Sequence, residues 1–204
     1  MSVSLAFDRN GLIPCVAQDW RTGEILTLAY MNAEALRLTR ETGEVHFFSR
    51  SRGELWRKGE TSGNVLRLRQ LRYDCDGDAL VALVEPAGPA CHTGERSCFH
   101  RELDGSAEPA PAAHEALAAL ERTLAERRHE RPEGSYTVEL LDDPERIGEK
   151  VREEADEAAR AAVGESGERV AAEAADLLYH LEVLLLSRDV ALADALEELN
   201  ERRR

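Results

Sequence analysis

The chain has 204 residues, 43% hydrophobic and 32% charged, with a formal net charge of −14. Such acidity excludes a non-specific nucleic-acid binder, which needs a basic face to displace counterions from phosphates. The charge is uneven: residues 1–104 carry 13 Lys+Arg against 15 Asp+Glu, residues 105–204 carry 13 against 25, and this asymmetry points to two modules.

Taken in chain order, the first half alternates as a sheet does. Leu12–Trp20 and Ile25–Met31 read as strands joined by a turn at Arg21-Thr22-Gly23. Asn32 is placed to cap a short helix, Ala33–Thr42, stopped by Gly43. Val45–Ser49, Val65–Tyr73 and Ala79–Glu85 follow as strands, and the apolar phase slips between Leu68 and Leu71, as at a bulge. Residues 105–113, rich in Pro, Ala and Ser, read as a linker.

Beyond it the pattern is helical. His114–Arg128 places Leu117, Leu120 and Leu124 on one face. Asp143-Pro144 starts a second helix that Gly164 stops, Ser166 opens a third through Leu186, and Asp189 is placed to cap a fourth. The predicted fold is therefore two domains: an N-terminal α+β domain with a mostly antiparallel sheet (1–104), and a C-terminal all-α helical bundle (114–204). The N-terminus has no basic-then-apolar leader, and the apolar tract Leu177–Leu186 is interrupted by His180 and Glu182. Neither a secretory signal nor a membrane span is expected, and a cytoplasmic location is.

Three polar constellations do not suit a core. Cys75, Cys91 and Cys98 offer three thiolates beside His92. Three ligands with an open position fit a catalytic zinc with His92 as a base; a structural Cys3His zinc is the alternative. Cys15 lies in an apolar strand pattern and reads as a buried small residue. Asp74, Asp76 and Asp78 alternate along an extended segment, so their carboxylates share a side and repel unless a hard cation such as Mg2+ joins them. An EF-hand loop is rejected because Ala79 stands where that loop needs Gly. The run Ser49–Asn64, with Arg50, Arg52, Trp56 and the Thr61-Ser62-Gly63-Asn64 turn, combines cations, hydroxyls and an aromatic suited to phosphate and base.

In the second half, Glu153, Glu154 and Glu157 form Glu-Glu-x-x-Glu, and Glu173 with Asp176 forms Glu-x-x-Asp. Spacings of three and four put these carboxylates on one helical face, where a facing cluster invites divalent cations; a solvated acidic face is the alternative. His180 reads as packed.

Ser49–Asn64, Asp74–Asp78 and Cys91–Phe99, in this order, resemble the phosphoribosyl-AMP cyclohydrolases of histidine biosynthesis over about residues 8–103. The resemblance implies zinc at Cys75, Cys91 and Cys98, and Mg2+ at Asp74, Asp76 and Asp78. It also implies a homodimer whose zinc site is completed across the subunit interface, and opening of the adenine ring between N1 and C6 by zinc-activated water. On this reading His92 is the catalytic base, and Arg50, Arg52, Thr61, Ser62, Gly63 and Asn64 contact substrate. Gly134-Ser135-Tyr136-Thr137, Glu153–Glu157 and Glu173–His180 resemble the phosphoribosyl-ATP pyrophosphohydrolases, all-α nucleotide pyrophosphohydrolases that use Mg2+ on such carboxylates to release pyrophosphate. Arg152 departs from that pattern, where a small glycine commonly precedes the glutamate pair. The whole chain thus resembles the bifunctional enzymes of histidine biosynthesis, acting on small nucleotides. The rival expectation is a general nucleoside triphosphate pyrophosphohydrolase carrying a structural zinc domain.

Overall fold

The computed structural model describes residues 4–103 and 112–203, which form two compact units, Met1–Pro111 and Ala112–Arg204. The segment read as a linker lies outside the described residues except for Ala112 and Ala113.

The first unit is built on six strands: β1 (Ile13–Asp19), β2 (Ile25–Met31), β3 (His46–Ser49), β4 (Glu54–Arg57), β5 (Leu66–Tyr73) and β6 (Leu80–Pro86), in the order β4-β3-β2-β1-β6-β5. Four pairings are antiparallel, while β1 and β6 run parallel with Cys15 opposite Leu80, so the sheet is mixed. In β1 every second residue is buried, which sends Ile13, Cys15 and Ala17 into the core beside Leu26, Val45, Phe47, Leu66 and Val84. Burial pushes the Cys15 thiol up to about 12, in keeping with a core residue.

Local chemistry sets the connections. Between β1 and β2 the Asp19 carboxylate accepts from the backbone N–H groups of Arg21 and Thr22, and Gly23 takes φ +75. The helix α1 (Ala33–Thr42) carries the chain from β2 to β3; the Asn32 side chain accepts from Ala35 N at 2.8 Å, and Gly43 ends the helix in the left-handed region. The phase slip in β5 is a register shift between Leu68 and Gln70. One strand was not expected: β4 lies inside the run read as a phosphate-and-base loop. It pairs with β3 because Trp56 stands opposite Phe47, ring centroids 5.4 Å apart.

The second unit has five helices among its described residues, not four. A 3-10 turn, Ala113–Glu115, leads into α2 (Ala116–Glu130), followed by α3 (Tyr136–Leu141), α4 (Pro144–Gly164), α5 (Gly167–Ser187) and α6 (Leu192–Glu201). The added helix is α3, six residues long and too short to show periodicity. Asp143 and Ser166 cap α4 and α5 as expected, accepting from Arg146 N and Arg169 N. Asp189 does not cap α6: it sits at φ +56, and Asp194 instead accepts from Ala191 N at 3.0 Å. Leu124, Leu140, Ile147 and Val183 form the core, with Leu120, Val151, Tyr179 and Leu184 against them. Among the described residues no helix is long and apolar enough to cross a membrane.

Candidate functional site

In the first unit, the segment after β6 folds back on the β1–β2 hairpin. Cys98 N donates to Leu26 O at 2.8 Å and Ser97 Oγ to Ile25 O at 2.7 Å. Arg96 fixes the loop from the side, donating to Asp19 Oδ2 at 2.9 Å and to the Glu24 carboxylate. Asp19 is buried, so this charge-assisted bond anchors the loop firmly.

The loop brings Cys91 and Cys98 into each other's field. The Thr93 hydroxyl donates to Cys91 Sγ at 3.1 Å and is the main reason the Cys91 thiol titrates below its ordinary value. Burial raises Cys98; its hydrogen bond to Thr27 Oγ1 at 3.4 Å is the main opposing influence, and the Lys58 ammonium is a smaller one. Lys58 is itself buried and did not stand out in the sequence as a site residue. His92 is exposed, its Nδ1 3.9 Å from Cys91 Sγ. Cys75 stands apart: it is exposed next to Asp76, and among the described residues no group of three ligand side chains includes a cysteine.

Asp74, Asp76 and Asp78 do converge, in the turn between β5 and β6, each offering an oxygen within 4.8 Å of the others. Ala79 N donates to Asp74 Oδ1 and lowers that carboxyl, whereas the bond to Asp74 and the charges of Asp74 and Asp76 raise Asp78. All three are exposed, so solvent relieves part of their mutual repulsion and a bound cation would relieve the rest.

Arg50 and Arg52 line an open cleft of about 800 Å³ together with Tyr30, Ser49, Ser51 and Trp56. The Arg50 guanidinium lies 3.9 Å above the Tyr30 ring, and Arg52 pairs with Glu54. The Thr61–Asn64 turn does not line that cleft. Its Asn64 packs so tightly on Gly88, three residues before Cys91, that a Cβ there would meet Asn64 Oδ1 at 2.5 Å.

In the second unit the site sits on the α4–α5 hairpin. The two-residue connection Glu165-Ser166 turns the chain back, so Glu157, about two turns before the end of α4, faces Glu173, about two turns into α5. Glu154, Glu157 and Glu173 present oxygens within 4.8 Å of one another, with Glu154 and Glu173 buried. Burial and the charges of Glu157 and Asp176 raise the Glu173 carboxyl, with Arg169 opposing. Glu173 Oε1 is enclosed without a well-directed hydrogen bond although the Arg169 guanidinium lies against it, so the contact is ionic only. Of the other expected ligands, Glu153 turns outward to Lys150 at 2.7 Å, and exposed Asp176 acts on Glu173 through its charge.

Several neighbours escaped the sequence reading. Lys150 Nζ reaches Glu154 Oε1 at 3.0 Å, four residues on, and Arg169 stands in the same relation to Glu173. His180 is buried, yet tied to the site: Nδ1–H donates to Asp176 O at 2.9 Å, leaving Nε2 to accept from the Tyr136 hydroxyl at 3.3 Å. Thr137 and Tyr179 hydroxyls meet at 2.8 Å, so the Gly134–Thr137 motif docks on α5 beside the acids.

Comparison with known proteins agrees with this layout. Residues 27–100 match the family described as phosphoribosyl-AMP cyclohydrolase, and residues 117–203 the one described as phosphoribosyl-ATP pyrophosphohydrolase. The histidine biosynthesis bifunctional protein HisIE of Bacillus subtilis (strain 168) is 50% identical over 97% of this chain and 94% of its own length. The proteins of the same description from Pyrococcus furiosus and Aquifex aeolicus are 46% and 42% identical, over 96% and 98% of this chain and 93% and 98% of theirs. At such identity over nearly the full length, the chain belongs to the histidine biosynthesis bifunctional HisIE family, hydrolases with a cyclohydrolase domain ahead of a pyrophosphohydrolase domain.

Proposed function

We propose that residues 114–204, a bundle of the nucleotide pyrophosphohydrolase type, hydrolyse phosphoribosyl-ATP to phosphoribosyl-AMP and pyrophosphate, and that residues 1–104 then open the adenine ring at N1–C6. The observation that carries the first assignment is the cluster of Glu154, Glu157 and Glu173, with Glu154 and Glu173 buried and an oxygen of Glu173 lacking a directed hydrogen bond. Three convergent carboxylates, two of them enclosed and one with its carboxyl raised, outnumber the Lys150 and Arg169 cations beside them and fit Mg2+ as further counter-charge. When bound there, Mg2+ supplies charge neutralisation of the polyphosphate and orientation of the attacking water. The protein's part is to hold the oxygens: Tyr136 and His180 fix the turn of α5 that carries Asp176, and the α4–α5 packing fixes the rest.

For ring opening, thiolate chemistry fits zinc. Cys91 is predisposed to ionise by the Thr93 hydroxyl, Cys98 shares its loop, and all four cysteines are free, as in a reducing cytoplasm. Because Cys75 stands apart within one chain, we assign the third thiolate to Cys75 of a second copy, which makes the working enzyme a homodimer. Zinc would supply an activated water. Exposed His92, beside Cys91, would serve as the base for that water. Arg50 and Arg52, with Ser49 and Ser51, hold the phosphate end, and Tyr30 and Trp56 offer faces to the base. Asp74, Asp76 and Asp78, converging in the β5–β6 turn, would hold Mg2+.

The test supplies phosphoribosyl-ATP, Zn2+ and Mg2+ to the full chain and follows pyrophosphate and the opened-ring product separately. Glu154→Gln is expected to lower pyrophosphate release at least about 100-fold, in line with loss of a metal-site carboxylate. His92→Ala is expected to leave that release and the zinc content intact while removing most ring opening. Full pyrophosphate release by Glu154→Gln, or equal release from ordinary nucleoside triphosphates by the wild type, would overturn the assignment.

A further inference from the structure

The two buried carboxylates of the α4–α5 cluster share a feature that the metal reading does not require. Each is met by a basic side chain from exactly one helical step earlier on its own helix: Lys150 for Glu154, at 3.0 Å, and Arg169 for Glu173. Both acids are almost wholly enclosed, at 6% and 2% exposure, whereas both cations reach in from the solvent side. Each cation also has an exposed acid to fall back on. Lys150 is 2.7 Å from Glu153, and Arg169 is 3.6 Å from Glu165.

This is an occupied charge site with a retreat position. A buried carboxylate left unpaired is costly, so something positive must face Glu154 and Glu173 before a metal arrives. A divalent cation sits about 2.0–2.6 Å from its oxygens and displaces an ammonium or guanidinium from the same lone pairs. The displaced groups stay tethered within one turn of the cluster. The phosphate oxygens of a polyphosphate held on that metal would come within reach of these side chains, and both Lys and Arg bind such oxygens.

We propose that Lys150 and Arg169 are exchangeable counterions of the pyrophosphate-releasing site: they neutralise Glu154 and Glu173 until a divalent metal binds, then turn to the phosphate oxygens of the substrate. The inference rests on the metal assignment of Glu154, Glu157 and Glu173 made above. Its consequence is that the same side chain opposes metal binding and favours substrate binding. A merely structural salt bridge would weaken both when removed, and an idle surface charge would alter neither.

The experiment uses the full chain and Mn2+ as the probe, with affinity read by calorimetry and by the electron paramagnetic resonance of the free ion. Glu154→Gln identifies the binding step that belongs to this cluster and separates it from the aspartates and thiols of the first unit. Lys150→Gln is expected to bind Mn2+ about 2- to 5-fold more tightly at that step, the size of a lost competing ion pair. Its KM for phosphoribosyl-ATP is expected to rise about 10-fold or more, the size of a lost charge-assisted contact. Lys150→Arg is expected to restore KM substantially. Arg152→Gln removes the same charge from an exposed position on α4 and is expected to change neither quantity. If Lys150→Gln binds Mn2+ no more tightly than wild type, or keeps its KM, the exchange is refuted while the metal site stands. If Glu154→Gln binds Mn2+ as the wild type does, the metal assignment itself falls, and the exchange with it.

Discussion

Glu182 lies in α5 at 4% exposure with neither carboxylate oxygen hydrogen-bonded, beside Leu124, Leu186 and the acidic Glu121. Burial, reinforced by Glu121, pushes its carboxyl from 4.5 up to about 7. Between those values the folded chain holds a proton that the unfolded chain has released, so stability falls as pH rises through this window. Glu182→Gln is therefore expected to raise the melting temperature by several degrees at pH 8, with the gain much smaller at pH 5 and gone only below 4.5. Thermal unfolding at the two pH values checks this; an equal gain at both would refute it. Glu182 was legible in the sequence only as an interruption of an apolar tract, since its enclosure depends on α2 crossing α5. The same holds for Lys58, whose effect on Cys98 depends on sheet pairing. The acids of α4 were legible because helical spacing alone aligns them, and the placing of Lys150 and Arg169 four residues ahead of their partners was equally available and passed over.

Elements with their own start and stop chemistry were readable: Asn32 and Gly43 bound α1, and Asp143 and Ser166 open α4 and α5. Those defined by a distant partner were not. Strand β4 has four residues and is a strand through its pairing with β3, where Trp56 meets Phe47; α3 is too short to show a period. Asp189 looked like a cap, but Asp194 satisfies the free N–H at the start of α6 from inside the helix. The exit from β4 shows how narrowly such a segment is held. Gly59 has φ +85, and a Cβ on it would lie 2.4 Å from the backbone of Asn64 and Val65. Gly59→Ala is expected to cost at least about 1–2 kcal/mol from the backbone conformation alone, with the clash added. Denaturant unfolding should show that loss, and ring opening should fall with it while pyrophosphate release per folded molecule holds. An unchanged midpoint would refute the close approach.

At the scale of the molecule, each unit has its own apolar core, around Ile13, Phe47 and Val84 in one and Leu140, Ile147 and Val183 in the other. Residues 1–111 and 112–204 produced separately are each expected to fold and to keep their own half of the chemistry, ring opening in the first and pyrophosphate release in the second. Separate assays on the two fragments decide it, and a fragment that folds yet needs the other for its own step would refute it. A particle of twice its own mass is expected for the first fragment, on the proposal that Cys75 of a second copy joins Cys91 and Cys98, since no group of three ligand side chains among the described residues includes a cysteine.

Glu154, Glu157 and Glu173 and the two cations beside them all come from residues 150–173, a single span folded over Glu165-Ser166. Closing so short a span costs little chain entropy, and contacts this local form early. The thiol-bearing loop depends instead on Arg96 reaching Asp19, 77 positions back along the chain. During refolding the later-encoded centre should thus mature first, assembled as soon as one helical hairpin has closed, while the earlier-encoded one follows only with the finished sheet.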